Sequence, residues 1–166
     1  MKYKFISLQK FKKKKNSYLK NFFKKGAPFG LKWDEDDTIL YCTTDEMEIT
    51  DKVASFDLDS TCKKKTNQNI FALKKTTVVS VKSGAKFPKN RDDWVFWNES
   101  VPKKLKEYKE KGYMIVIFSN QAGIEKNKQN PEDLKGKILD ICEELGFPVF
   151  CYFSTATDVN RKPNTS

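Results

Sequence analysis

The sequence predicts an α/β fold with an open parallel sheet, on three observations. Three apolar runs of strand length occur, "KVASFDLD", "YMIVIFSN" and "PVFCYFSTAT". Amphipathic helical patterns stand between the first and second runs and between the second and third. The resulting order, strand–helix–strand–helix–strand, requires right-handed crossovers that lay the strands parallel and cover them with helices.

Taken in order, the chain begins with a basic segment. Residues 1–25 hold ten lysines and no acid, which accounts for the whole net charge of +10. Such a composition cannot bury enough apolar surface to fold, so residues 1–27 are expected to be a basic, disordered tail. The alternatives are a nuclear address in "KFKKKK", an arm that neutralises phosphates, or a mitochondrial presequence, although those favour arginine. "DTILYCTT", residues 37–44, alternates as a short strand, and "EMEITDK" turns the chain into the first buried run. Residues 62–86 carry seven lysines and no acid and read as an irregular basic insert. Val101, Leu105 and Tyr108 recur at helical spacing, with Pro102 in the first turn and Gly112 just past the end. "YMIVIFSN" is apolar without interruption, as in a parallel strand covered on both faces. Asn130, Pro131, Glu132 and Asp133 supply an N-cap, a first-turn proline and first-turn acids, and Gly146 closes the helix. Leu134, Ile138, Ile141 and Leu145 line its apolar face. The elements together describe a Rossmann-like open parallel sheet flanked by helices.

The 166 residues are one domain's worth of chain, expected over 28–166. No continuous apolar run marks a secretory signal or a membrane span. Cys42, Cys62, Cys142 and Cys151 form no short-spaced pair and histidine is absent, which argues against zinc. Reduced thiols and a nuclear location are expected, with mitochondrion or cytoplasm as alternatives.

In open parallel sheets ligands bind at the carboxyl ends of the strands. Asp57 and Asp59 end the first run, Ser119 and Asn120 the second, and Lys162 follows the third. Alternation puts Asp57 and Asp59 on one side of the backbone and Leu58 on the other. Two carboxylates that close repel each other, and a hard cation such as Mg²⁺ would offset that repulsion. A single strand-end aspartate commonly caps a loop, and Lys162 alone reads equally as a loop lysine before proline. The ordered set points to a site.

"DLDST", "IVIFSN" and "RKP", in that order, resemble the motifs of the haloacid dehalogenase superfamily of phosphohydrolases. "FPKNRDDW", "KGYMIVIFSNQAGI" and "RKP" are similar, more narrowly, to the phosphatase domain of the polynucleotide kinase 3′-phosphatases, from about Phe29 to Pro163. The resemblance implies a haloacid dehalogenase-like fold and a Mg²⁺-dependent phosphatase acting on DNA with 3′-phosphate ends, through an aspartyl-phosphate. It puts the nucleophile at Asp57 and the acid/base at Asp59, with Ser119 and Lys162 also catalytic. Thr61, Ser119, Asn120 and Arg161 would contact substrate, and Asp57 and Asp59 would hold the metal. The competing expectations are a small-molecule phosphatase of the histidinol-phosphate or heptose-phosphate kind, and an inactive module that binds DNA ends.

Three departures from the family pattern accompany the match. Ser60 stands where glycine is usual, and the basic insert at 62–86 is long. Its lysines could contact a DNA backbone or be a solvated loop. The acidic fourth motif and a phosphate-binding kinase loop are absent, so a chain truncated at its C-terminus is expected. With it comes a first buried strand left as an exposed edge.

Overall fold

The computed structural model describes residues 28–46, 49–59 and 77–163. The tail at 1–27, Ser60, Thr61 and residues 62–76 of the basic insert lie outside that range. The described residues form one mixed seven-stranded sheet. Its strands are β1 (Leu31–Asp36), β2 (Ile39–Thr44), β3 (Val53–Asp59), β4 (Thr77–Ser80), β5 (Val95–Phe96), β6 (Met114–Asn120) and β7 (Phe150–Ser154), in the spatial order β1-β2-β7-β6-β3-β4-β5. Helix α1 (Ser100–Glu110) precedes β6, and α2 (Pro131–Leu145) joins β6 to β7.

The α/β class is as expected, with two corrections. The sheet is mixed: β7, β6, β3 and β4 run parallel, while β1, β2 and β5 join antiparallel. Nor is β3 an edge. It pairs with β6 on one side, and on the other with β4, with Asp57 opposite Thr77 and Asp59 opposite Val79. The β-branched run "TVVS" is buried at Thr77, Val78 and Val79 and holds the strand that the surrounding lysines disguise. Residues 77–80 are therefore sheet, and the irregular basic segment cannot extend unbroken to 86.

Helix α2 follows its sequence signals closely. The Asn130 side chain accepts from the Glu132 N–H at 2.9 Å, and Pro131 occupies the first turn, where its missing N–H costs nothing. Gly146 takes a left-handed φ of 77° and donates its N–H to Cys142 and Glu143 carbonyls. In α1, Leu105 faces the core at 1% exposure, while Tyr108 packs edge-on against Phe56 and Tyr113.

Alternation sorts the strands into two faces. Leu40, Cys42, Ala54, Leu58, Ile115, Ile117, Cys151 and Phe153 face the two helices and meet Leu105, Leu134, Ile138 and Ile141. Each such leucine or isoleucine contributes about 1.5–3 kcal/mol by leaving water. A smaller cluster around Val116 and Phe150 occupies the opposite face with Val53, Met114 and Tyr152. Cys42, Cys142 and Cys151 are free thiols inside the main core, and burial pushes the first two up to about 12 and about 11.

From β3 the chain passes to β4 on one side, and it returns through α1 to β6 on the other. Adjacent strands β3 and β6 thus have connections that depart in opposite directions, the switch point at which a crevice opens beyond the strand ends.

Candidate active site

The carboxyl ends of β3 and β6 carry Asp57, Asp59, Ser119 and Asn120 to this switch point. Leu58 is fully buried among the core residues, so the aspartates on either side of it share the other face. Asp57 lies opposite Phe118 in the β3–β6 register. Lys162, from the loop after β7, reaches the same place: its Nζ is 3.1 Å from Asp57 Oδ1 and donates to the Phe118 carbonyl at 2.7 Å.

Two side chains hold this group in place. Asn120 clamps the main chain of Lys162, its Nδ2 donating to the Lys162 carbonyl and its Oδ1 accepting from the Lys162 N–H, both at 3.0 Å. Its amide is thereby engaged with the lysine loop instead of facing outward. Gln121 donates through Nε2 to Asp59 Oδ2 at 3.2 Å and to Ser119 Oγ at 2.7 Å. Ser119 is 3% exposed and keeps its hydroxyl hydrogen for another acceptor.

Burial pushes the Asp59 carboxyl above its ordinary range; the Gln121 hydrogen bond opposes this, and the neighbouring Asp57 charge adds to it. One carboxyl of the pair is thus favoured in its protonated form. Arg161 stands beside Lys162 with Nη1 buried and without a hydrogen-bond partner. Thr61 lies outside the described residues, so its expected role is not placed.

Residue types alone did not single out Gln121, Asp93 or Lys137. Gln121 is buried directly after the Ser119–Asn120 pair, and its sequence signals are that strand-end position and its place in "SNQAGI". Asp93, of "FPKNRDDW", accepts from Ser83 N–H and hydroxyl and from Lys89 N–H at 2.7–2.9 Å. It organises the loop before β5, and those bonds, the Lys89 N–H foremost, hold its carboxyl below the usual range. Lys137 sits on the inner face of α2 at 4% exposure, where helical spacing alone would call for an apolar residue.

For a hard divalent cation the donors fit in kind. Lys162 is paired to Oδ1 of Asp57, and Oδ2 has no partner among the described residues. Among the described residues no cluster of three or more His, Cys, Asp or Glu could hold a metal. That is compatible with Mg²⁺, which commonly uses one or two carboxylates and completes its shell with water and substrate phosphate oxygens.

The signature of the family described as polynucleotide kinase 3 phosphatase matches residues 69–166. The chain belongs to this family. Within the polynucleotide kinase 3 phosphatase family, similarity extends to a bifunctional polynucleotide phosphatase/kinase of Schizosaccharomyces pombe, 32% identical over 135 residues. It extends likewise to the polynucleotide 3′-phosphatase ZDP of Arabidopsis thaliana, 31% identical over 147 residues. An uncharacterized 20.8 kDa protein of Autographa californica nuclear polyhedrosis virus is 35% identical over 133 residues. These alignments cover 81%, 80% and 79% of this chain, but only 29%, 18% and 62% of the respective relatives. The family match begins beyond Asp59, so the carboxylate pair rests on the geometry at the end of β3. Among the described residues no helix is long and apolar enough to cross a membrane.

Proposed function

We propose that this chain carries the catalytic core of a Mg²⁺-dependent phosphatase that removes 3′-phosphate from DNA ends, on a haloacid dehalogenase-like fold. One observation carries the reading: Asp57 is paired to Lys162 at the switch point, two residues from a carboxyl group that burial favours protonated. In the proposed reaction an Asp57 oxygen attacks phosphorus as the bond from phosphorus to the sugar 3′-oxygen breaks. Asp59 gives its proton to the departing oxygen. As a carboxylate it then takes a proton from water, whose oxygen attacks phosphorus and releases Asp57 and inorganic phosphate. Lys162 and the Ser119 hydroxyl hold charge on the phosphoryl oxygens, with Arg161 beside them. Mg²⁺, held by the Asp57 carboxylate and the Asp59 main-chain carbonyl, would supply charge neutralisation at the phosphate.

The test is phosphate release from a 3′-phosphorylated oligodeoxynucleotide, compared with histidinol phosphate and a heptose phosphate. Asp57→Asn should abolish turnover while the far-UV spectrum and melting temperature persist. Appreciable turnover by that variant would exclude attack by Asp57, and preference for the small esters would move the substrate away from DNA.

A further inference from the structure

The loop between β6 and α2 and the loop organised by Asp93 meet over a cavity of about 60 Å³. That is room for about four waters at roughly 15 Å³ each, or for one tetrahedral oxyanion. Lys89, Lys128, Lys137, Gln129, Asn130 and Asp133 line it.

Lys137 gives the cavity its character. It is 4% exposed, and among the described residues its ammonium makes no hydrogen bond and no ion pair. Burial lowers its affinity for a proton, and only the more distant charges of Asp59, Asp93 and Asp133 oppose that. An ammonium without a fixed partner there can take an anion with several acceptor oxygens through charge-assisted hydrogen bonds. Two further features favour an anion at the same spot. The fifteen-residue helix α2 opens here, so the positive end of its dipole lies at the cavity. The lining carries three lysines against the single carboxylate of Asp133.

The place on the molecule narrows the choice of anion. Helix α2 starts at the end of the ten-residue loop, residues 121–130, that leaves the carboxyl end of β6, so the cavity lies on the same rim as Asp57 and Asp59. We propose that it is a subsite for a backbone phosphate of the polynucleotide, bound while the terminal 3′-phosphate lies at Asp57. This assignment rests on the function proposed above and adds to it: the protein holds the strand at an internal phosphate as well as at its end.

The experiment titrates the full chain with a short single-stranded oligodeoxynucleotide lacking a 3′-phosphate, at stepped salt concentrations. Each phosphate neutralised on a single strand contributes about 0.7 to the log–log salt slope. Lys137→Met and the double variant Lys89→Gln/Lys128→Gln should each flatten the slope by about that amount. Asp133→Asn should instead tighten binding severalfold, because it removes the carboxylate that competes with phosphate. Lys137→Met replaces a buried charge and is first checked for folding by its melting curve. The double variant changes two exposed side chains and decides the matter if Lys137→Met fails to fold. An unchanged slope in the double variant overturns the subsite. Turnover of a 3′-phosphorylated oligodeoxynucleotide by the wild-type chain is measured in parallel: its absence defeats the proposed function, while lysine-dependent binding would still uphold a phosphate site.

Discussion

Asp59 is the residue at which stability and chemistry pull apart. Its carboxyl is raised from the ordinary 3.8, so the folded state holds that proton to higher pH than the unfolded chain does. Folding is then favoured below the ordinary carboxylate value and loses stability as pH rises through the interval up to the raised folded value. Asp59→Asn removes the ionisation but still accepts from Gln121. The variant should therefore be more stable than wild type at neutral pH, by a margin that closes on acidification below the ordinary range. It should also release the sugar alcohol far more slowly. Melting curves across that pH range check the first expectation; a constant margin would show that burial of Asp59 is not what shifts it. Asn120 acts differently, through the main chain of Lys162. Asn120→Ala loses two hydrogen bonds worth about 1 kcal/mol each and frees the lysine loop. Misplacement of a catalytic group by an ångström costs on the order of 100-fold, so kcat should fall 10- to 100-fold with little change in KM. A rise in KM alone would instead mark Asn120 as a direct substrate contact.

At the scale of elements, helix α2 shows how a local rule can be broken for packing. Gly136 sits in its interior, where alanine would be favoured by about 1 kcal/mol. A Cβ there would come within 2.7 Å of Arg91 Cδ, because Arg91 lies across the helix to form a two-point pair with Asp140. That pair is largely exposed on the arginine side and worth under about 1 kcal/mol, and the side chain can move. Gly136→Ala should thus be neutral or stabilising by up to about 1 kcal/mol in urea denaturation. A clear loss would mean that Arg91 anchors the loop before β5. The elements differ in how far they could be read from sequence. The caps, proline and apolar stripe of α2 all act locally, and its bounds follow from them. The cores of β6 and β7 are legible because they are largely buried on both faces and carry little else, and that of β3 because Ala54, Phe56 and Leu58 alternate on its core face. By contrast β1, "LKWDED", keeps only Leu31 and Trp33 on the core side among exposed acids, and β5 is two residues long. β4 is set among lysines, and what makes it a strand is its neighbour β3, a long-range fact. The site divides in the same way. Asp57, Asp59 and Lys162 are legible as polar groups ending apolar runs. The roles of Gln121 and Lys137 depend on which chain segments fold over them.

Across the whole molecule, β2, α2 and β7 converge on a single point of the core. Each brings one thiol there: Cys42, Cys142 and Cys151, all at 0% exposure, with Cys42 directly opposite Cys151 in the antiparallel register. Because the thiolate is the reactive form, burial that raises these groups silences them twice, by denying access and by suppressing ionisation. The consequence is a clock built into the protein. In a Cys62→Ser background, an alkylating reagent in excess can mark the three only when the sheet and helix part, so the rate of labelling measures the lifetime of the closed state. One rate shared by all three is expected, since opening at their meeting point frees them together. Earlier labelling of Cys42 alone would show that the β1–β2 hairpin peels from β7 while the parallel strands bearing Asp57 and Asp59 stay shut.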